Sequence, residues 1–397
     1  MRRLLTLVSA LVLVDTMLFA ALTPLLGHFV RQLHLSSATA GVLVAAYAAG
    51  ALLGGLPGGV AAARLGPRRA VLTGLTLMGL ASLGFAWAES FPPLLVARFV
   101  QGAGSAFTWA GAFAWLLAAT PRARRGQVIG TAMGAAVFGA LIGPVLGAAA
   151  ALLGRDAVFS AVAGLAVVLA AATLRIQTRP PEQPSWAALA RAGRNAEFAA
   201  GLALLALGAL LFGVLSVLAP LHLTAAGWGP TAIGAVWLVG AAIETALSPL
   251  VGRISDRRGA LAPVRPGLAA GAVVSLALIL AVGPLPYALL VLAASTAYGV
   301  LFTPSFKLIA DGADHAGLAQ GMAFGMMNAA WALGAFLGPA AAGAIAGATG
   351  ASVPLLLAAL ACAGALAATV LRARASARLA GHELAGAREP AVPAIRN

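Results

Sequence analysis

Two short basic stretches decide the fold: GVAAARLGPRR at residues 59–69 and GRISDRRG at residues 252–259. Each follows a long apolar run, places one glycine seven residues before another, and surrounds the second glycine with arginines. The later copy has Asp256 where the earlier copy has Ala63. A short basic loop that occurs twice between apolar runs predicts a duplicated membrane unit.

The composition excludes a soluble protein. Of the 397 residues, 61% are hydrophobic and 9% are charged, whereas soluble domains carry about 25% charged residues. So few charges cannot cover a water-facing surface, and lipid must be the solvent. The net charge of +14 suggests nucleic acid as a partner. The basic residues, however, form short groups between apolar runs, so we expect no nucleic-acid partner. The single cysteine, Cys362, excludes a disulfide framework and a cysteine-based metal site.

Twelve apolar runs are long enough to cross a membrane as helices, which takes about 20 residues. They are too long for the strands of a membrane barrel, so we predict an all-α membrane protein. Glycine and proline inside the runs are compatible with this prediction, because membrane helices use them for close packing and bends. The predicted spans are residues 4–27, 37–62, 69–88, 92–118, 127–152, 156–175, 198–221, 230–252, 264–283, 286–309, 318–347 and 351–371.

The basic residues predict the orientation, because Lys and Arg are enriched in cytoplasmic loops. With the N-terminus inside, all 25 basic residues except Arg31, Arg98 and Arg155 lie in cytoplasmic segments. The N-terminal run resembles a signal peptide, but Asp15 interrupts it and many spans follow, so we interpret it as the first span, retained in the protein. We expect a multi-pass protein of the cell (inner) membrane with both termini in the cytoplasm.

Glycine and proline landmarks recur at offsets of 193 to 196 residues. A unit of six spans separates the copies, and an even number of spans gives both copies the same orientation. The pattern predicts twelve transmembrane helices in two pseudo-symmetric six-helix halves, with a site between the halves near the membrane midplane. The matching landmarks are Pro24 and Pro220, Gly41 and Gly234, Gly59 and Gly252, and Gly143–Pro144 and Gly338–Pro339.

The predicted halves are residues 1–175 and 198–372. The polar, proline-containing stretch between them, residues 176–197, is expected to be a cytoplasmic linker. Residues 373–397 are basic and rich in alanine, and we expect them to form a disordered cytoplasmic tail.

Four motifs resemble signatures of one family. GVAAARLGPRR is similar to the G-x-x-x-D-R-x-G-R-R loop of the major facilitator superfamily, and RFVQGAGSA, from Arg98, resembles its helix-4 signature R-x-x-Q-G. GALIGPVLGA, from Gly139, resembles the Gly-Pro signature of helix 5 that is associated with antiporters. Asp15 followed by Pro24 resembles the D-x8-P pattern of the twelve-helix drug/proton antiporters. Over residues 4–372, the resemblance implies a proton-coupled secondary active transporter that exports small amphipathic or cationic compounds by alternating access.

The resemblance also implies a gating role for the two basic loops. In the family, the aspartate of the motif clamps the halves together in the outward-facing state; here that position is Ala63, and the acid survives only as Asp256. We expect Asp256 to pair with Arg257, Arg253 or a helix N-terminus across the interface, and the arginines to bind carbonyl groups at helix ends. The alternative is that both loops only anchor the topology. The loop residues concerned are Gly59, Arg64, Gly66, Arg68, Gly252, Asp256, Arg257 and Gly259.

The helix-5 motif predicts close packing of the fifth span, because small residues four apart form a smooth stripe. Pro144 predicts a bend. A role in the direction of transport is implied by the resemblance alone. The motif residues are Gly139, Gly143, Pro144 and Gly147.

Charged side chains within spans mark transport pathways, because they are costly in hydrocarbon unless they face a cavity or a partner. Asp15 is the first candidate for the proton-coupling acid and Glu244 the second, with Arg98 as counter-charge. Two alternatives remain open: a static ion pair between Asp15 and Arg98, and a neutral Glu244 that is hydrogen-bonded to Thr245 or Ser248.

Large apolar and methionine side chains inside the spans suit apolar or cationic ligands. The alternative for any one of them is a position that faces lipid. For Asn328 the alternative is a hydrogen bond of its amide between two helices. The candidate substrate-binding residues are Met17, Gln101, Trp109, Phe113, Phe138, Phe212, Trp237, Tyr298, Phe302, Met326, Asn328 and Trp331.

The competing function is the export or import of a metabolite such as a sugar, amino acid or natural product. A membrane enzyme or sensor is disfavoured, because the sequence shows no nucleotide-binding loop, metal-ligand cluster or catalytic triad spacing. We therefore expect a monomer without cofactor or metal, whose partners are a small-molecule substrate, protons and the lipid bilayer.

Overall fold

The computed structural model describes residues 2–121, 125–177, 186–318 and 320–386. Within these ranges every regular element is an α-helix, as the sequence predicts. The helices are α1 (Arg2–Gln32), α2 (Ser37–Arg64), α3 (Pro67–Trp87), α4 (Phe91–Ala119), α5 (Arg125–Leu153), α6 (Arg155–Leu174), α7 (Trp186–Arg194), α8 (Ala196–Ala225), α9 (Pro230–Arg258), α10 (Leu261–Leu280), α11 (Pro284–Gly299), α12 (Phe302–His315), α13 (Gln320–Thr349) and α14 (Ser352–Gly386).

Eleven segments in the described part of the chain are long and apolar enough to cross a membrane, and each corresponds to one predicted span. The one predicted span not among these eleven is the fourth, residues 92–118, which forms α4. This helix is as long as the others, but it contains Arg98, Gln101 and Thr108, whose polar side chains lower its hydropathy. The short helix α7 is an additional element within the predicted linker.

The tenth predicted span is broken into two helices, a feature the sequence analysis missed. Helix α11 ends at Gly299 and α12 begins at Phe302. Pro304 explains the break, because proline has no N–H to donate and its ring clashes with the carbonyl four residues earlier, that of Val300. The carbonyl of Val300 therefore lacks its usual helical donor.

The two basic loops adopt the same backbone conformation. Gly66, before α3, has φ of 90°, and Gly259, after α9, has φ of 86°. Both angles lie in the region that favours glycine, so each loop needs glycine to connect two helices with so short a turn.

The described helices form two repeated groups, each with its own apolar core. One core draws on α1 to α6 and the other on α8 to α14. A repeated anchor joins equivalent helices: Arg68 of α3 donates to the carbonyl of Ile176 after α6, and Arg265 of α10 donates to that of Thr369 in α14 (3.3 Å). The Arg68 bond follows the expectation that loop arginines bind carbonyl groups at helix ends.

The halves meet at the end of the helix bundle that is opposite the basic loops. We call the end with the loops the basic face and the opposite end the closed face. Near the closed face, a Cβ on Gly41 of α2 would meet the carbonyl oxygen of Pro339 and lie 2.9 Å from the Cα of Gly343, both in α13. The equivalent Gly234 of α9 lies on α5, where its Cβ would be 3.2 Å from the carbonyl oxygen of Pro144. Two pseudo-symmetric glycine contacts therefore close this face.

Toward the basic face the same helices are apart. A Cβ added to Gly55 or Gly59 of α2, or to Gly325 of α13, would have no heavy atom within 4 Å. The structure thus opens on the side that carries the loop arginines.

The predicted boundaries lie partly beyond what the structure describes. Within the predicted linker, residues 178–185 are outside the described residues, and within the predicted tail, residues 387–397 are. Helix α14 continues to Gly386, so residues 373–386 are helical where disorder was predicted. Their richness in alanine, the residue with the highest helix propensity, accounts for this difference.

Candidate functional site

Helix α1 turns one face to α5 and another to α2 and α4, and this rotation positions Asp15. The α5 face is set by glycines: a Cβ on Gly139 would meet the carbonyl of Leu13, and one on Gly143 would lie 2.7 Å from the carbonyl of Met17. Gly147 of the same motif lies equally close to α1, against the carbonyl of Ala21. With that face against α5, Asp15 points into the space between α2 and α4.

Helices α2 and α4 also pack through glycine. A Cβ on Gly102 of α4 would meet the carbonyl oxygen of Tyr47, and a Cβ on Gly50 of α2 would meet that of Phe99. This close approach brings the side chain of Tyr47 to Asp15.

The carboxylate of Asp15 is buried, with 3% of the residue exposed, and accepts three hydrogen bonds. The Tyr47 hydroxyl donates to Oδ1 at 2.9 Å. The Ser105 hydroxyl and the indole N–H of Trp109 donate to Oδ2 at 2.9 and 2.6 Å. Three donors compensate for the loss of water around a buried carboxylate.

Arg98 is buried beside this group but makes different contacts. Its Nη1 donates to the carbonyl of Leu18 (3.1 Å) and to Oε1 of Gln101 (2.7 Å), and its Nη2 donates to the carbonyl of Phe19 (2.9 Å). The guanidinium carbon lies 4.8 Å from the ring centroid of Tyr47. In the described part of the chain Arg98 and Asp15 share no ion pair, so the static-pair alternative is wrong for this conformation; the carbonyls of α1 occupy the guanidinium instead.

Tyr47 and Ser105 belong to this site, and the sequence analysis missed both. A signal for Ser105 exists: Arg98, Gln101, Ser105 and Trp109 recur at helical spacing and therefore lie on one face of α4. Tyr47 has no such signal, because it comes from another helix.

Glu244 lies apart from the first site, in a pocket between α9 and the break of α11–α12. A Cβ on Gly299 would lie 2.6 Å from Cδ and 2.9 Å from Oε1 of Glu244, so the carboxyl occupies space that only glycine leaves free. The hydroxyls of Thr245 and Ser248 donate to the backbone carbonyls of Ala241 and of Glu244 itself (both 2.8 Å). The alternative in which one of these hydroxyls binds the Glu244 side chain is therefore wrong, because each hydroxyl bonds a backbone carbonyl of its own helix.

The structure brings the candidate substrate-binding residues together in separate groups. Trp109 and Phe113 stack at 5.3 Å beside Asp15. Phe212 contacts Phe302 at 5.7 Å and Tyr298 at 6.1 Å in the second half.

A ring contact joins the halves, because Trp331 of α13 meets Phe19 of α1 edge-on at 5.0 Å. Gln101 and Met17 are buried near Asp15, and Phe138 is half exposed. Among the described side chains, no ring contact or hydrogen bond connects the remaining candidates to these groups; they are Trp237, Met326 and Asn328.

Asp256 does not pair as expected. Its carboxylate lies 3.5 Å from Nζ of Lys307 in α12, which also pairs with Asp311 at 3.3 Å. Lys307 belongs to the same half, so this ion pair does not clamp the halves together.

Within the described residues, no group of three or more His, Cys, Asp or Glu side chains is placed to hold a metal ion.

The sequence and the fold are similar to those of known proteins. The sequence profile of the Major Facilitator Superfamily matches residues 8–322. In solved structures, the chain resembles a bacterial homolog of the human lysosomal transporter Spinster in an inward-facing, unoccupied conformation (TM-score 0.74, 15% identity, 92% of this chain and 95% of that one). It also resembles the xylose transporter XylE from E. coli in a partially occluded inward-open conformation (TM-score 0.71, 14% identity, 92% and 97%). The predicted fold class is thereby confirmed.

Curated relatives match over part of the chain. The MFS-type transporter ppzB of Metarhizium majus is 32% identical over 39% of this chain and 35% of its own length. A probable vesicular acetylcholine transporter-B of Danio rerio is 34% identical over 37% and 31%, and the synaptic vesicular amine transporter of Homo sapiens is 30% identical over 30% and 24%. The chain thus spans about a third or less of the length of these relatives.

Proposed function

We propose that this chain, which belongs to the Major Facilitator Superfamily, is a proton-coupled transporter that exports small amphipathic or cationic compounds by alternating access. The family makes it a multi-pass membrane transporter and not an enzyme. The proton coupling, the direction and the substrate class are the proposed parts.

The observation that carries the proposal is the Asp15 carboxylate, which is buried, forms no ion pair with any described side chain, and accepts three hydrogen bonds. Its donors come from α2 and α4, whereas Asp15 belongs to α1. If α1 moves relative to these helices as the cavity alternates, the carboxylate loses donors and its neutral form becomes favoured. Loss and recovery of donors would load and release one proton per cycle.

The positions of the two faces support alternating access. Basic loops favour the cytoplasmic side, so an opening at the basic face corresponds to an inward-open state. The two solved neighbours carry inward-facing or inward-open descriptions. Rocking the halves so that the Gly41 and Gly234 contacts separate would open the closed face and expose the cavity to the outside.

Two observations favour a cationic substrate. The stacked rings of Trp109 and Phe113 lie beside the carboxylate, and aromatic faces attract organic cations. The names of two relatives specify acetylcholine and amines, which are organic cations or become so on protonation.

The competing candidate is a metabolite transporter. Its support is the similarity to XylE, whose description names xylose. A substrate screen by thermal shift of the purified protein across pH, with organic cations and sugars side by side, separates the two: we expect stabilisation by cations only.

Proton coupling is tested in inside-out vesicles with an imposed pH gradient and a fluorescent organic cation. We expect Asp15→Asn to abolish proton-driven accumulation while exchange of substrate down its own gradient continues. Asp156→Asn is the matched control, because Asp156 is an exposed acid at the start of α6. If Asp15→Asn accumulates the cation at the native rate with native pH dependence, Asp15 is not the coupling acid.

A further inference from the structure

The pocket at the break between α11 and α12 is lined by groups that favour a cation over an anion. Its lining combines one carboxyl group, three hydroxyl-bearing side chains and apolar groups, and it contains no side-chain N–H. The lining residues are Glu244, Leu247, Ser248, Val251, Thr296, Gly299, Val300 and Thr303.

Two of the three hydroxyls have already committed their protons. Ser248 donates to the carbonyl of Glu244 (2.8 Å) and Thr296 to the carbonyl of Leu292 (2.9 Å). Neither proton is free to bond the Glu244 carboxylate, and both oxygens keep lone pairs. These oxygens therefore act as acceptors in the pocket.

The helix break adds a backbone acceptor. Because Pro304 cannot donate an N–H, the carbonyl of Val300 lacks its helical partner, and Val300 lines the pocket. Transporters use unwound backbone carbonyls to coordinate coupling cations, and here the freed carbonyl belongs to a residue that lines the same pocket as Glu244.

The neighbouring charged and titratable groups of the described helices have other partners. Lys307 of α12 pairs with Asp256 and Asp311, about three helical turns beyond Glu244 toward the basic face. The Tyr298 hydroxyl of α11 bonds that of Ser275 (2.7 Å). Outside these, Arg265 of α10 donates to Thr369, Asp15 of α1 has its three donors, and His222 of α8 stacks on Tyr287 of α11 at 3.9 Å. None of these groups lines the pocket.

We propose that Glu244 and the oxygens at the α11–α12 break form a second ion site, which takes a small monovalent cation: a proton on the carboxylate or Na⁺ among the oxygens. The carboxylate supplies the charge, and Thr296, Ser248 and the freed carbonyl supply neutral oxygens. Such hard oxygen donors suit alkali ions and protons and offer nothing to an anion. This site lies in the second half, whereas Asp15 lies in the first. Binding at Glu244 can therefore be tested whether or not Asp15 has its proposed role.

Thermal unfolding of the purified full-length protein tests the site without transport. Na⁺ is titrated against choline at constant ionic strength and pH, and pH is varied separately in choline alone. If the cation is Na⁺, Tm rises with Na⁺ in the native protein and the rise is lost in Glu244→Gln. If it is a proton, the native protein is less stable than Glu244→Gln at mildly alkaline pH and matches it at mildly acidic pH, since a protonated Glu resembles Gln.

Two further variants keep the test decisive. Gly299→Ala places a methyl group on the carboxyl of Glu244 and should weaken the same response if Glu244→Gln does not fold. Thr245→Val is the matched control: this exposed threonine neighbours Glu244 but bonds only its own helix, so the native response should remain. Repeating the titration in Asp15→Asn separates the two sites, because the response should persist there even if Asp15 has no coupling role. A native protein that responds to Na⁺ and to pH as Glu244→Gln does would overturn the site.

Discussion

Tyr47 donates its hydroxyl to Oδ1 of Asp15 at 2.9 Å. The same side chain lies 4.8 Å beneath the guanidinium of Arg98. One residue of α2 thus contacts both the acid of α1 and the base of α4. Any movement between these helices changes the surroundings of both charges.

Replacing Tyr47 by phenylalanine tests this contact. Tyr47→Phe keeps the ring under Arg98 but removes one of three donors to the carboxylate, and a hydrogen bond to a charged group contributes about 1.5–3 kcal/mol. Protonation then occurs at higher pH, and we expect the pH of half-maximal efflux to rise by about one to two units. Tyr298→Phe removes a different buried tyrosine hydroxyl, which bonds that of Ser275, and should leave this midpoint unchanged; equal shifts in both variants would contradict the role of Tyr47.

The glycine contacts predict the conformational effect of a larger side chain. Gly41→Val inserts bulk between α2 and α13 at the closed face, and overpacking of this kind costs about 1–3 kcal/mol, which shifts a two-state equilibrium by about five- to 150-fold. We expect the closed face to open, measured as faster labelling of a single cysteine at Ala38 in a Cys362→Ala background.

Gly55→Val is the matched control for Gly41→Val, because Gly55 lies on the same helix with open space around it. Unchanged labelling in Gly41→Val would show that the glycine contact does not hold this face closed.

The loop arginines differ in their predicted contribution to stability. Arg68 donates to the carbonyl of Ile176, whereas Arg69 is exposed. Arg68→Ala should lower the free energy of unfolding by about 1–3 kcal/mol, and Arg69→Ala by less than about 0.5 kcal/mol. Thermal unfolding in one detergent measures both; similar losses would mean that the arginines act only through their charge at the membrane surface.

The ion pair of Asp256 and Lys307 predicts a small effect in this conformation. The Asp256 side chain is 71% exposed, and exposed ion pairs contribute about 0–1 kcal/mol. Asp256→Ala should therefore leave Tm nearly unchanged, while Lys307 keeps Asp311. If Asp256→Ala instead slows transport and increases labelling at the basic face, Asp256 forms a clamp in the outward-facing state.

The sequence by itself determined the properties that depend on local composition. Apolar run lengths set the number of spans, and the matching offsets of Gly41 and Gly234 revealed the duplication, because hydropathy and repeated small residues are legible along one chain. The resemblance of the motifs to one family was confirmed. Asp15, Arg98 and Gln101 were selected as candidates because polar residues in apolar runs stand out, and Trp109 because it is a large side chain within a span.

Only the tertiary structure decided which of these residues meet. Asp15 and Arg98 were expected to act as charge and counter-charge, yet Arg98 donates to carbonyls of α1, and Tyr47 is among the donors to Asp15. Gly102 lets α2 approach α4, which brings Tyr47 to Asp15. The pocket of Glu244 depends on a break in another helix, and the closed face depends on glycines that pack across the two halves. Rotation and crossing of helices are set by partners far away in sequence, which no local pattern records.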